Sequence, residues 1–162
     1  DFSKLTESGQ MLTIILMLIG GSPGSTAGGM KTTTLAVLTA TAVSVFRRNE
    51  NPELFKRRIA PETVANAASI LMMYLSLCLT GAFLISRIEE LPMMACMFET
   101  ASAVGTVGLS FGITPGLGSI SRIILIILMY LGRVGGLTLI YAALSGHRIR
   151  FGKYPLEKIT VG

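Results

Sequence analysis

The sequence predicts an all-α membrane protein in which a broken transmembrane helix precedes one helix–pore loop–helix repeat. The mean hydropathy is +0.65, and only 14% of the residues are charged, whereas soluble domains carry about 25%. The charges are also clustered, because residues 64–85 contain none and residues 123–146 contain only Arg133. Apolar stretches of about 20 residues are long enough to cross a bilayer. We therefore expect an integral membrane protein.

The first apolar stretch, residues 11–46, is interrupted at residues 20–31, which we call the glycine-rich loop. The loop consists of Gly20, Gly21, Ser22, Pro23, Gly24, Ser25, Thr26, Ala27, Gly28, Gly29, Met30 and Lys31. Glycine and proline both disfavour a regular helix, so we predict a membrane helix that breaks here and resumes at about residues 32–46. We interpret the loop as a movable intramembrane gate. A static packing kink is the alternative.

The glycine-rich loop also bears a partial likeness to a phosphate-binding loop, which reads G-x-x-x-x-G-K-[ST]. Gly24 and Gly29 have the required spacing, but Met30 separates Gly29 from Lys31. The lysine is therefore displaced by one residue, and no βαβ pattern surrounds the segment. Both observations argue against nucleotide binding by this chain.

The second and third apolar stretches differ in length. Residues 64–85 predict an uninterrupted span, and Pro61, Glu62 and Thr63 before it are suited to begin a helix. Residues 92–103 are too few to cross about 30 Å of hydrocarbon. We predict a short re-entrant helix that returns as an extended loop, which at membrane depth must be buried in protein or line water.

The short stretch is followed by a candidate selectivity filter. Its residues are Thr106, Val107, Gly108, Leu109 and Ser110. Potassium filters replace the hydration shell of the ion with backbone carbonyl groups, as in the sequence TVGYG. We predict that K⁺ binds the carbonyl groups of Thr106, Val107 and Gly108; an ordinary outer loop is the alternative. Glu99, in the short helix, is expected to support the filter through hydrogen bonds, without binding the ion itself.

The fourth apolar stretch, residues 118–144, is long enough to span the membrane and contains Arg133 near its middle. Such a buried arginine is costly and usually faces a cavity, pairs with a carboxylate or marks an ion path. Below a cation filter its charge would repel the ion, so we predict that Arg133 is the barrier of a gate. An arginine that pairs structurally with carbonyl or carboxylate groups is the alternative. Lys31 is expected near a water-filled vestibule, or reaching toward water.

The basic residues lie between or after the apolar stretches. They are Arg47, Arg48, Lys56, Arg57 and Arg58, and then Arg148, Arg150, Lys153 and Lys158. Basic clusters that flank spans mark the cytoplasmic side, so this placement favours a lipid bilayer over a nucleic acid as the partner.

Cys78 and Cys96 are expected to be small buried hydrophobic residues, and His147 a solvated side chain. No signal peptide precedes Asp1, and we expect a part of a longer protein.

Together these motifs resemble the Trk/Ktr/HKT superfamily of potassium transporters, and most closely the KtrB-type ion-translocating subunits. The resemblance is carried by residues 20–34, by Phe98 and Glu99 followed by residues 105–110, and by residues 132–135. It implies four helix–pore loop–helix repeats around one pore. Residues 1–46 would then hold the second helix of the third repeat, residues 47–61 a cytoplasmic linker, residues 62–146 the fourth repeat and residues 147–162 a basic cytoplasmic tail.

The resemblance also implies a function and partners. Potassium would be the transported ion and sodium an activator, with no cofactor bound by this chain. The implied partners are the remaining repeats of the same subunit, a second copy in a homodimer and a cytosolic nucleotide-binding regulatory subunit. The implied location is the plasma membrane, as a multi-pass protein of the bacterial inner membrane. A secondary transporter that binds a small solute or sodium at broken helices is the alternative. Nothing resembles a nucleophile with its base, so we expect no enzyme.

Overall fold

The computed structural model describes residues 5–48, 52–54, 57–135 and 138. Within these residues lie the helices α1 (Glu7–Ile19), α2 (Thr32–Phe46), α3 (Pro61–Glu89), α4 (Met93–Gly105) and α5 (Ser119–Val134). The predicted all-α fold is confirmed. Two strands of two residues each, β1 (Glu53–Leu54) and β2 (Arg57–Arg58), pair antiparallel within the segment predicted as a linker. The predicted basic tail, with His147, lies outside the described residues.

The first apolar stretch is broken at the glycine-rich loop, as predicted. Thr6 caps α1 by accepting a hydrogen bond from the amide of Gly9 at 3.3 Å. The helix ends at Ile19, and its C-cap Gly20 has a φ of 69°, which is accessible to glycine at little cost. The amide of Thr32, at the start of α2, donates to the carbonyl of Gly21 at 3.1 Å. The two helices of the broken element are therefore joined directly across the base of the loop.

The helix α3 is longer than the 64–85 stretch predicted from hydropathy. It has 29 residues and begins at Pro61, the first helical position, where a missing amide proton has no cost. Its N-cap, Ala60, forms no capping hydrogen bond through its side chain. Within the described part of the chain, α3 is the one helix that is long and apolar enough to cross a membrane by length and composition. The helices α1 and α2 are shorter apolar helices.

The short helix α4 lies at the centre of the fold and packs against α1, α3 and α5. Residues 98–105 of this helix are all buried. Cys96 and Val104 pack with Ile85 of α3 and Leu128 of α5 in one cluster. A second cluster, on the α1 side, contains Ile14, Cys78, Phe98 and Ala101. Cys78 and Cys96 are thus buried free thiols, as predicted.

The helix α5 begins one residue after the predicted start of the fourth stretch, and it is described as far as Val134. Its buried residues, Ser121, Leu125, Leu128 and Gly132, follow helical spacing and form one face. The start of α5 is held by Glu89, the last residue of α3. One carboxylate oxygen of Glu89 accepts hydrogen bonds from the amide of Gly118 at 2.8 Å and the hydroxyl of Ser121 at 2.6 Å. This contact closes the helix–short helix–helix unit at one end.

Candidate functional site

The end of α4 forms a compact turn that starts residues 106–110, which were predicted as an extended loop and which we call the extended segment. Thr106 has φ 52° and ψ 38°, the left-handed helical conformation. Its amide donates to the carbonyl of Ala103 at 3.1 Å, and the amide of Val107 donates to the carbonyl of Ser102 at 2.9 Å. These two bonds form a Schellman motif, which normally carries glycine at the position of Thr106. A β-branched residue in this conformation is rare.

The extended segment leaves α4 beside open space. Gly108 has φ 83°, and a Cβ atom placed on it would meet nothing within 4 Å. Val107, Gly108 and Ser110 are exposed. The backbone amides of Thr106 and Val107 donate to carbonyls of α4, as described above. Among the described residues, no backbone amide donates to the carbonyl oxygen of Thr106, Val107 or Gly108. These oxygens are therefore available to water or to an ion.

Glu99 fixes the far end of the extended segment to α4. The side chain is only 5% exposed. One carboxylate oxygen accepts hydrogen bonds from the hydroxyl of Ser110 at 2.6 Å and the amide of Phe111 at 3.0 Å. The other accepts from the hydroxyl of Thr114 at 2.9 Å. The ring of Phe98 stacks on Phe111 with 3.9 Å between the centroids, so the loop is held to the helix by both polar and aromatic contacts.

A cavity of about 710 Å³ lies between the extended segment, α4 and α5. Thr106, Gly108 and Ser110 line it from the segment, Glu99 from α4 and Arg133 from α5. The cavity therefore brings together side chains from three of the predicted site features. Among the described residues, no group of three or more His, Cys, Asp or Glu side chains could hold a metal ion.

The glycine-rich loop also contacts the extended segment and α5. The amide of Gly28 donates to the hydroxyl oxygen of Thr106 at 2.8 Å. The amide of the next residue, Gly29, donates to the carbonyl of Gly132 in α5 at 3.4 Å. Gly28 and Gly29 are buried, whereas residues 22–27 are exposed. The buried residues Gly28 and Gly29 thus bind the extended segment and α5 through their backbone amides.

Two cations hold the exposed part of the loop. The guanidinium of Arg133 donates a hydrogen bond to the carbonyl of Thr26. The ammonium of Lys31 donates to the carbonyl of Ala27 at 2.5 Å. Both side chains line a second cavity of about 370 Å³ beside the loop. Arg133 is exposed on its helix.

Several contacts of the site involve residues that the sequence did not single out. Phe111 and Thr114 bind Glu99, and Tyr74 of α3 donates from its hydroxyl to the carbonyl of Gly132 at 3.3 Å. The partners of Glu99 could have been predicted from the sequence, because an acidic residue in an apolar stretch is followed there by a segment rich in serine and threonine. No local signal pointed to Tyr74, because its partner is 58 residues away along the chain.

Comparison with known proteins gives one consistent result. A family model described as TrkH, cation transport protein, matches residues 1–148. The chain is 39% identical to the potassium/sodium uptake protein NtpJ of Enterococcus hirae, with all of this chain and 37% of that protein covered. It is 34% identical to the Ktr system potassium uptake protein B of Bacillus subtilis, over all of this chain and 36% of the relative. The Vibrio alginolyticus protein of that name is also 34% identical, with all of this chain and 35% of the relative aligned. The chain thus spans 35–37% of the length of these relatives.

Proposed function

The chain belongs to the TrkH family of cation transport proteins, and we propose that it forms part of the pore of a Ktr/Trk-type potassium uptake system. Members of this family are membrane transporters, so the chain is a membrane protein. We place it in the plasma membrane, as a multi-pass segment of a bacterial inner-membrane subunit. The relatives are named for the uptake of potassium, or of potassium and sodium, so sodium is the ion to test beside potassium.

In this proposal residues 106–110 are one strand of the selectivity filter. The observation that carries it is the set of carbonyl oxygens at Thr106, Val107 and Gly108, on which no backbone hydrogen bond of the described residues ends. Backbone carbonyls with no partner in the chain can replace the hydration shell of a dehydrated cation. Glu99 supports the strand by holding its far end to α4.

The glycine-rich loop and Arg133 form the gate in this proposal. The loop contacts Thr106 at the start of the strand, and Arg133 binds the loop while lining the cavity beside the strand. A cationic side chain at this place repels a permeating cation at short range. If the loop moves away from α5, the backbone of the loop and the charged side chain of Arg133 both change position. The loop and Arg133 would therefore act together.

One strand can supply only part of a ring of carbonyl groups. We therefore propose that the remaining repeats of the same subunit supply the other strands, and that residues 62–146 form the last repeat. A second copy of the subunit and a cytosolic nucleotide-binding regulatory subunit are the further partners that the Ktr resemblance supports. Potassium is the cargo in this scheme, sodium an activator, and this chain binds no other cofactor.

The filter assignment is tested with the full-length protein in cells that lack potassium uptake. Gly108→Ser is compared with Gly112→Ser, because both glycines have positive φ, 83° and 86°, and open space for a Cβ atom. Serine is strained to a similar extent at both positions. We expect Gly108→Ser to lower the preference for potassium over sodium and Gly112→Ser to retain it. Unchanged preference in Gly108→Ser, or an equal loss in both variants, contradicts the filter assignment.

A further inference from the structure

Thr106 combines two features that a turn alone does not explain. It holds a left-handed backbone conformation, φ 52° and ψ 38°, that is unfavourable for a β-branched residue. Its hydroxyl oxygen accepts a hydrogen bond from the amide of Gly28, 78 residues earlier in the chain. Strained residues of this kind persist where the surroundings hold them, and they cluster at sites that switch. Glycine would relieve the strain but would remove the hydroxyl.

The contact is also tight on the side of the loop. A Cβ atom on Gly28 would collide with the hydroxyl oxygen and the methyl group of Thr106 and would lie in tight contact with its Cβ atom. Gly28 is buried, and the amide of its neighbour Gly29 is bound to the carbonyl of Gly132. Two consecutive amides of the loop therefore hold it in place, one against the extended segment and the other against α5.

We propose that the hydroxyl of Thr106 is a latch that holds the glycine-rich loop in its closed position through the amide of Gly28. This inference rests on the proposed function, in which Thr106 begins the filter strand and the loop is the gate. When the loop moves away, the bond breaks, and the buried amide and the hydroxyl must find other partners. The position of the loop and the conformation of the strand are thereby coupled. Thr106 is a positioning residue in this role, in addition to the carbonyl it contributes to the strand.

The latch is tested by the accessibility of Met30, which lies two residues after Gly28 and is only 4% exposed. A Met30→Cys substitution in the full-length protein gives a thiol that a water-soluble maleimide reaches when the loop moves. Thr106→Val keeps the branched shape and removes the hydroxyl, so we expect it to raise the labelling rate about three- to tenfold. Thr106→Ser keeps the hydroxyl and is expected to restore the original labelling rate.

Two further variants separate the latch from a general effect of substitution. Gly28→Ala forces the loop away from Thr106 and is expected to raise the labelling rate as Thr106→Val does. Because both changes break the same contact, the double variant should show no further increase. Thr39→Val is the control for removing a hydroxyl elsewhere, since Thr39 in α2 bonds the carbonyls of Leu35 and Ala36 within its own helix.

Two results would overturn the latch. Equal labelling in Thr106→Val, Thr106→Ser and Gly28→Ala at the original rate would show that the contact does not hold the loop. Equal acceleration in Thr106→Val and Thr106→Ser would show that packing of the methyl group, and not the hydroxyl, is responsible. Neither result depends on the ion preference of Gly108→Ser, so failure of the latch and failure of the filter assignment are separable.

Discussion

Arg133 of α5 donates a hydrogen bond to the backbone carbonyl of Thr26, which lies 107 residues earlier in the glycine-rich loop. The bond joins the loop to α5, whereas the Gly28–Thr106 contact joins it to the extended segment. A guanidinium that is bound to one carbonyl retains its charge and its other donors. Arg133 can therefore both restrain the loop and present a positive charge to the cavity that it lines.

Arg133→Ala is expected to increase potassium uptake by the full-length protein. The substitution removes a hydrogen bond that holds the loop, and it removes the charge that opposes a cation. A loss of roughly 1 kcal/mol from one hydrogen bond changes the ratio of closed to open protein about fivefold. The measurement is initial uptake of potassium or rubidium. The matched control is Arg122→Ala, because Arg122 lies on the same helix and donates to the carbonyl of Pro115 at 2.7 Å. If Arg133→Ala and Arg122→Ala show equal uptake, we would conclude that Arg133 has a structural role and is not the barrier.

Glu99→Gln is expected to lower both stability and ion preference. The carboxylate accepts three hydrogen bonds on its two oxygens, whereas glutamine has one acceptor oxygen and places a donor where the other oxygen was. One of the three partly buried donor groups must then either rotate to accept from the amide or lose its partner, at a cost of about 1–3 kcal/mol. Thermal unfolding of the purified full-length protein and competition between potassium and sodium measure the two effects.

The control for Glu99 is Glu62→Gln, since Glu62 is exposed in the first turn of α3. We expect this variant to unfold at the original temperature and to retain its ion preference. Loss of stability with an unchanged preference in Glu99→Gln would limit Glu99 to holding the loop, and no change in either measurement would contradict the observed network.

Gly132→Ala is expected to destabilise the packing of α5 on α4. A Cβ atom at this position would collide with backbone atoms of Val104, and backbone cannot move aside as a side chain can. Overpacking of this kind costs about 1–3 kcal/mol. Gly116→Ala is the control, because a Cβ atom there would meet nothing within 4 Å. The midpoint of thermal unfolding should fall in Gly132→Ala alone. If both variants unfold at the same midpoint, α4 and α5 can separate easily to admit the methyl group. That result would contradict the close approach of the two helices.

The features that the sequence predicted are those with a local cause. The break at residues 20–31 follows from the glycines and the proline in that segment, and the short α4 follows from the polar residues on either side of it. The buried cysteines follow from their apolar neighbours. The roles of Arg133 and of residues 106–110 stay predictions.

The features that the sequence did not predict depend on residues that are far apart in the chain. Glu89 caps α5 through Gly118, 29 residues later, and Thr106 binds Gly28 across 78 residues. No periodicity or local motif encodes such pairs. The strands β1 and β2 are short, and their residues show no alternation that would distinguish them from a linker. The ends of α3 differ from the hydropathy estimate because polar residues at both ends continue the helix outside the apolar stretch.

The wide spacing of the loop contacts has a consequence for how the protein is made. Synthesis proceeds from the N-terminus at about 5–20 residues per second, so Arg133 emerges roughly 5–20 s after Thr26. The loop lacks the hydroxyl of Thr106 until residue 106 has been made, and it lacks the carbonyl of Gly132 for almost the whole interval. Lipid cannot satisfy its amides and carbonyls. In the proposed multi-pass topology, the nascent α1 and α2 would therefore keep the loop in contact with water or with the insertion machinery until α5 has been inserted.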